Sequence, residues 1–493
     1  MAPRKRFRFS LIWFLAGLAL VVLHLCLNYL SPAFEYERDL EAAPIFWLCG
    51  TMIAAGAIYL WIVRCVTAST TGGIRREGKR KLPVAFLGFV VLTGLVLRLL
   101  FMTSVPMLED DHYRYLWDGA VWIHGFNPYA YAPQDINDSL SSPLDASVPE
   151  TLRQLAKDSG IVIERINHPH LRTIYPPISQ LAFATAYILN PWSLPAWRLV
   201  LLVCDIVILF LLFIILMDLE LPPLWAAVYW LNPLLVKEIY NSGHMDILLI
   251  PFVLGALYLA SRKRPVWSSV LLALAAGIKL WPVLLVPLVL RNTLSRPGRL
   301  AAALVLFVLL TGIISVPVLE AGLDDTSGFT AYGYHWEMND SLFMIIGWGV
   351  TVVLKVGEFD YSLWPRLTRL VVAVLLAVVT FLAVRKKPAN KKAYYAKAFI
   401  IIAALFLLSP TQFPWYSLWF LPFLVFYPRC PLILLTALLP IYYLRFYFKS
   451  FGNVDLFDYG LVWLQYIPVW IPLVLEWRKA KRGQKLRGVR PNI

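Results

Sequence analysis

Apolar runs close to the length of a bilayer crossing alternate with short charged links along most of the chain. A helix needs about 20 apolar residues to span the hydrocarbon core. Runs at 9–30, 45–63 and 83–102 predict three crossings. Others follow at 175–189, 197–217, 224–236, 245–260, 266–290, 300–318, 342–354, 367–384 and 398–408. Shorter apolar segments continue to 427, 447 and 475. The pattern predicts an all-α polytopic membrane protein of about 13 transmembrane helices. It reads as one integral domain over 1–493: N-terminal helices 9–102, an outer loop 103–172, a core 173–427, and C-terminal helices with a basic tail 428–493.

The polar links orient these runs, because Lys and Arg collect in cytoplasmic loops. Arg75-Arg76-Glu77-Gly78-Lys79-Arg80-Lys81, Arg262-Lys263-Arg264, 291–299, Arg385-Lys386-Lys387 and the tail 478–490 mark the inner face. The acidic link of Glu35, Glu37, Asp39 and Glu41 faces outward, so 83–102 crosses outward and the loop 103–172 lies outside. Four crossings after that loop would leave Arg262-Lys263-Arg264 on the wrong side, so 175–189 is expected to be short or re-entrant. The run 266–290 is interrupted by Gly277-Ile278-Lys279-Leu280-Trp281-Pro282 and reads as two half-helices. Segment 342–354 reads as in-plane or partial.

Composition sharpens this. The 493 residues are 59% hydrophobic and 15% charged, with mean hydropathy +0.66, whereas a soluble domain is about 45–50% apolar and about 25% charged. The net charge of +15 sits in short loops, so no nucleic-acid partner is expected. Cys26, Cys49, Cys65, Cys204 and Cys430 form no CxxC pair, which supports neither a disulfide framework nor a zinc site. The N-terminal run is too long for a signal-peptide core and reads as a retained helix.

Candidate chemistry concentrates in and around the outer loop. It opens on Glu109-Asp110-Asp111-His112-Tyr113-Arg114-Tyr115-Leu116-Trp117-Asp118-Gly119. Its three acids fit a helix cap or solvated patch, a general base, or a divalent-metal site. Adjacent carboxylates raise one another's pKa. On a helix Asp111, Arg114, Tyr115 and Asp118 share a face, and Arg114 can orient a carboxylate or bind phosphate. His168 and Tyr175 precede Pro176-Pro177, which also fits a plain helix start. His244 and Asp246 fit either binding or capping. Lys279, flanked by Ile278 and Leu280, needs a partner such as a phosphate, or else reaches the interface by its long stem. Gln412, Trp415 and Tyr416 fit an aromatic belt or a sugar-stacking wall.

The acidic stretch, followed by Gly125-Phe126-Asn127-Pro128-Tyr129, resembles the first outer loop of GT-C membrane glycosyltransferases. It is closest to bacterial polyprenol-phosphate-mannose-dependent mannosyltransferases and the related family 87. Asn167-His168-Pro169-His170-Leu171-Arg172-Thr173-Ile174-Tyr175-Pro176-Pro177, Gly243-His244-Met245-Asp246, Ile278-Lys279-Leu280-Trp281-Pro282 and Ser409-Pro410-Thr411-Gln412-Phe413-Pro414-Trp415-Tyr416 also fit, in that order. The resemblance implies a GT-C-like bundle, a polyprenyl-phosphate sugar donor, an outer-facing cavity and an essential aspartate. That aspartate matches Asp111, with Asp110 as the alternative. Donor phosphate and sugar contacts are expected from Arg114, His168, Tyr175, His244, Asp246, Lys279, Gln412 and Trp415. Glu109, Asp118, Asn127 and Asn339 are expected to contact the acceptor or shape the loop. Partners are then the donor, a lipid or glycan acceptor and membrane lipid, with no cofactor and no metal. The expected location is the bacterial inner membrane with a periplasmic site. A lipid-linked sugar flippase, or a GT-C enzyme moving another sugar, remains the rival reading.

Overall fold

The computed structural model describes residues 2–71, 84–141 and 148–486. Helices form nearly all of it, with one isolated bridge between Met338 and Thr411. Among the described residues, seven helices are long and apolar enough to cross a membrane: Leu11–Phe34, Ile45–Thr70, Leu194–Asp218, Pro297–Ala321, Tyr361–Val384, Cys430–Ser450 and Val454–Glu476. An eighth arises if Pro233–Asn241 and Met245–Ser261, bent by 113°, count as one span. Four shorter apolar helices join them: Phe86–Leu99, Pro177–Leu189, Pro265–Ala276 and Leu342–Val356. The all-α polytopic fold is as expected. Full-length spans are fewer than the run count because several runs are interrupted.

The interruptions have local causes. The run at 224–236 stops after Ala227–Trp230, where Pro233 removes a donor and Asn232 Oδ1 caps the next turn at Leu235 N, 3.0 Å away. A wide turn at Lys237–Asn241 follows, and Gly243 reverses the chain with φ +79°, a conformation glycine adopts without cost. The run at 266–290 splits as expected into Pro265–Ala276, Trp281–Leu285 and Val286–Leu290. The freed Gly277 carbonyl accepts from Ile178 N at 2.9 Å.

Pro177–Leu189 has 13 residues, about 20 Å of helix, which is short of a crossing as expected. It packs along Asp111–Ile123 so closely that a Cβ on Gly119 would lie 2.5 Å from the Phe183 carbonyl oxygen. The loop expected at 103–172 is therefore structured, with helices Asp111–Ile123, Pro133–Ser139, Glu150–Asp158 and Ile161–Glu164. Arg172 ties its end to the Ala321 and Gly322 carbonyls and to Asp324.

Two ends of the molecule are distinguishable. Leu194–Asp218 runs 25 residues, about 37 Å. Near its start Arg198 donates to the Met102, Ser104 and Asn241 carbonyls. At its far end Asp218 pairs with Arg262 at 2.5 Å and Lys391 at 2.6 Å. Arg291 donates to the Val384 and Arg385 carbonyls nearby in sequence to Lys391. The basic links 262–264, 291 and 385–391 thus gather away from Arg198. The Arg75–Lys81 link and residues 487–490 of the tail lie outside the described residues. Between the ends, Arg98 and Asp205 form a fully buried pair at 2.7 Å, and Tyr229 and Tyr240 donate to the same carboxylate.

Candidate functional site

Asp110 occupies the N-cap position of Asp111–Ile123, yet its side chain makes no capping hydrogen bond. Asn167 Nδ2 instead donates to Asp110 Oδ1 at 2.7 Å and to Asp111 Oδ1 at 2.8 Å. The cap and solvated-patch readings therefore do not describe these acids. Both face a cavity of about 630 Å³, within the usual range for a ligand site. Glu109, Asp110, Asp111 and Arg114 form one side, and His168 and Tyr175 the next. Asp246 and Lys279 stand across from them, beside Trp281, Trp415, Tyr416 and Trp419. The C-terminal helices close the wall with Tyr442, Arg445, Phe446 and Lys449.

The acids do not rise together, as adjacency alone predicts. Burial, with the charge of Asp111, pushes Asp110 up to about 6, against the Asn167 hydrogen bond. Burial also pushes Asp111 upward, but His244, Asn167 and Lys279 outweigh it and hold Asp111 down at about 2. Glu109 is pushed well above the carboxylate range by burial, opposed by Lys237 and reinforced by Glu238, Asp111 and Asp110. At neutral pH the trio presents an ionised Asp111 between partners of different protonation. The sites are matched to different tasks.

Several of the cations at the cavity are held in place by protein partners. Arg114 donates to the His168 and Leu171 carbonyls at 3.1 and 3.0 Å, clamping the loop end beside the acids. Lys279 Nζ lies 2.6 Å from Asp246 Oδ1, which also accepts from Trp419 Nε1 at 2.8 Å. The same ammonium stands 4.0 Å above the Tyr416 ring. It is therefore fixed at the cavity wall by a carboxylate and an aromatic face. Arg445 is held in two-point contact by Asp458 at 2.7 and 2.9 Å.

The remaining expected residues divide into liners and supports. His168 is half-buried, with φ +46° and its ring 4.8 Å from Trp336; burial lowers its pKa. Tyr175 lies edge-on to Tyr115 at 5.0 Å, and its carbonyl accepts from Tyr129 Oη at 2.6 Å. Trp415 is stacked between Phe413 and His244, at 4.4 and 3.7 Å. His244 itself sits behind the cavity, not in it. Asp118 is buried behind Arg114 and accepts from Gln180 at 3.2 Å; burial, opposed by Arg114, pushes it up to about 6. The Gln412 side chain does not reach the cavity, and its amide donates to the Leu407 and Ser409 carbonyls. Asn127 ties its loop to the Pro317 carbonyl at 2.7 Å. Asn339 binds the Gln412 carbonyl and Gln465, holding the strand-like contact of 338 with 411.

The sequence reading passed over Asn167, the pair Lys237 and Glu238, and the whole C-terminal wall. That wall had a signal: Tyr442, Arg445, Phe446 and Lys449 recur at i, i+3, i+4 and i+7, one face of a helix. Lys237-Glu238 ends an apolar run, which also marks charges placed at depth.

Residues 173–410 match the model of glycosyltransferase family 87. The matched stretch holds Tyr175, His244, Asp246 and Lys279, while the acids at 109–111 and the wall at 442–449 flank it. No curated protein and no solved structure matches the chain.

Proposed function

We propose that this protein, whose residues 173–410 match the model of glycosyltransferase family 87, is a membrane glycosyltransferase that transfers a sugar, mannose in the first instance, from a polyprenyl phosphate to a hydroxyl of a lipid or glycan, with inversion at the anomeric carbon. The observation that carries the reading is the placing of Asp110 and Asp111, bridged by Asn167, in one cavity with Lys279 and an aromatic wall. Asp111 is the base. It accepts the proton of the acceptor hydroxyl as that oxygen attacks the anomeric carbon. The lipid phosphate leaves on the other side of the sugar ring, toward Lys279 and the rim cation Lys449. Fixed positive groups aimed at the developing charge lower the barrier, and the sugar passes through an oxocarbenium-like state. Trp336 offers a face for the sugar rings, while Trp415, covered on both faces by Phe413 and His244, meets the cavity with its edge. The gathering of basic links at the end of the molecule remote from Arg198 supports a cavity on the outer face.

The test is transfer from labelled polyprenyl-phosphate-mannose by the purified protein in liposomes, with Asp110→Asn and Asp111→Asn alongside. Full activity in both variants sinks the assignment of the base. Turnover that survives chelators supports transfer by side chains alone. Product formation only with a different sugar on the same lipid would retain the donor class and change the sugar.

A further inference from the structure

Behind the acid pair lies a group of buried charges that the transfer step above does not use. Gly243 turns the chain so that the His244 ring lies flat on Trp415, 15° from parallel. Its two nitrogens are then left pointing in the ring plane. Nδ1 lies 3.6 Å from Asp111 Oδ2. Nε2 lies 3.5 Å from Glu238 Oε2 and 3.9 Å from Glu109 Oε2. Neither ring nitrogen has a hydrogen-bond partner, and neither does Glu238 Oε2 or Glu109 Oε1. Buried polar atoms without partners are rare in folded proteins and call for a reason. Here His244 Nε2 and Glu238 Oε2, both without partners, face one another at 3.5 Å, about half an ångström beyond an ordinary hydrogen bond, while Asp111 Oδ2 also accepts from Tyr115 Oη at 3.4 Å.

The far side of the group is anchored. Glu238 Oε1 accepts from Tyr443 Oη. Lys237 Nζ donates to Tyr443 Oη at 2.5 Å, to Ser242 Oγ at 2.9 Å and to the Met107 carbonyl at 3.2 Å. Glu238 is thus fixed through one oxygen and open through the other, toward His244. Asp110 and His112 beside Asp111 also bear on His244, and Lys279 bears on Asp111. Trp415 seals the ring face without charge.

We propose that Asp111, His244 and Glu238 form a proton relay, in which His244 is the positioning and shuttling residue and the buried Glu238 holds the proton taken from the acceptor. The inference rests on the glycosyl-transfer reading. The acceptor O–H bond breaks, and its oxygen forms the bond to the anomeric carbon. The bond from that carbon to the lipid phosphate oxygen breaks, and its electron pair leaves on the phosphate. The proton arrives on Asp111 Oδ2 and passes to His244 Nδ1, while the proton of Nε2 passes to Glu238 Oε2. One proton enters the relay and one comes to rest, and His244 has exchanged its tautomer. Asp111 is ionised again while the product is still in the cavity. The proton returns by the same path to the departing phosphate, whose second ionisation lies near pH 6.

The experiment follows reconstituted transfer against pH, in light and heavy water, for wild type, His244→Gln, Glu238→Gln and Glu238→Asp. The relay predicts that His244→Gln and Glu238→Gln lower kcat about 10–100-fold at unchanged donor KM, displace the acid limb of the profile and reduce the solvent isotope effect. Glu238→Asp, which restores a carboxylate, recovers part of kcat. A loss confined to donor KM, or a wild-type pH profile in both Gln variants, overturns the relay while leaving sugar transfer intact. An arm without activity guards against misfolding. The infrared spectrum of the resting wild type at neutral pH should carry an ionised-carboxylate band that Glu238→Gln removes, and a protonated Glu238 at rest overturns the relay. Should the wild type transfer no sugar, the glycosyl-transfer reading and the relay fall together.

Discussion

Lys279 Nζ sits 2.6 Å from Asp246 Oδ1, so the cavity's innermost cation comes with its own counter-ion. Asp246 is almost fully buried, and removing one partner of a buried pair strands the other. Lys279→Met and Asp246→Asn should each cost about 3 kcal/mol of stability, with the double variant costing less than the two together. Thermal unfolding in detergent reads this. The double variant should fold and still transfer no sugar if the ammonium serves the leaving phosphate, and retention of wild-type kcat by it would remove that role.

Asp111→Asn should reduce kcat about 10²–10⁴-fold, the usual contribution of a positioned base. Asp110→Asn should reduce it far less, because Asn167 can still bond the introduced amide oxygen. Steady-state transfer at saturating donor separates the two. Equal losses would mean that the two acids act as one unit.

The same two acids give stability opposite pH dependences. Asp110 titrates near 6 when folded and near about 3.9 unfolded. Between those values the folded state holds more protons, so stability falls as pH rises through that window and stays lowered above it. Asp111, held at about 2, gives stability that is present above about 3.9 and is lost as pH falls through about 2. Asp110→Asn should therefore raise the melting temperature at pH 7–8 and leave it unchanged near pH 4. With water in the cavity the gain is expected to be about 1–2 kcal/mol.

Gly119→Val tests the helix pair that carries the acids. Its side chain meets the Phe183 backbone, which has little room to shift. A loss of about 1–3 kcal/mol is expected from such overpacking, together with a drop in transfer, since Asp111 begins the same helix. A melting temperature equal to wild type would mean the two helices can part without cost.

Much of this site was legible in the linear pattern, and the exceptions have physical causes. The short 175–189 run, the break at Lys279 and the acidic opening of the outer loop all appear where charge or proline interrupts apolar length. The structure then brings Asp111, His168, Lys279 and Trp415 to one cavity. Periodicity gave no view of Asn167, a single polar loop residue whose importance lies in reaching two carboxylates at once. Arg114 faces the His168 and Leu171 carbonyls through one guanidinium nitrogen while lining the cavity, an employment that a linear sequence does not display. Gln412 carried a polar group in the right loop, but the direction of a side chain in an irregular turn follows from tertiary packing. Which runs cross at full length was not legible, because apolar composition continues through Pro233 and Gly243, where the helix does not.

The last part of the cavity wall comes from residues more than 300 positions beyond the acids. Tyr442, Arg445, Phe446 and Lys449 line the site, and the helix before them packs on the second helix, where a Cβ on Gly56 would lie 2.9 Å from the Ala437 Cβ. Without the residues beyond 430 the acids, Lys279 and the aromatic side chains would lack this side of their enclosure. The cavity is thus completed by a C-terminal hairpin docked against a helix from the start of the chain, and its shape depends on contacts that reach across almost the whole sequence.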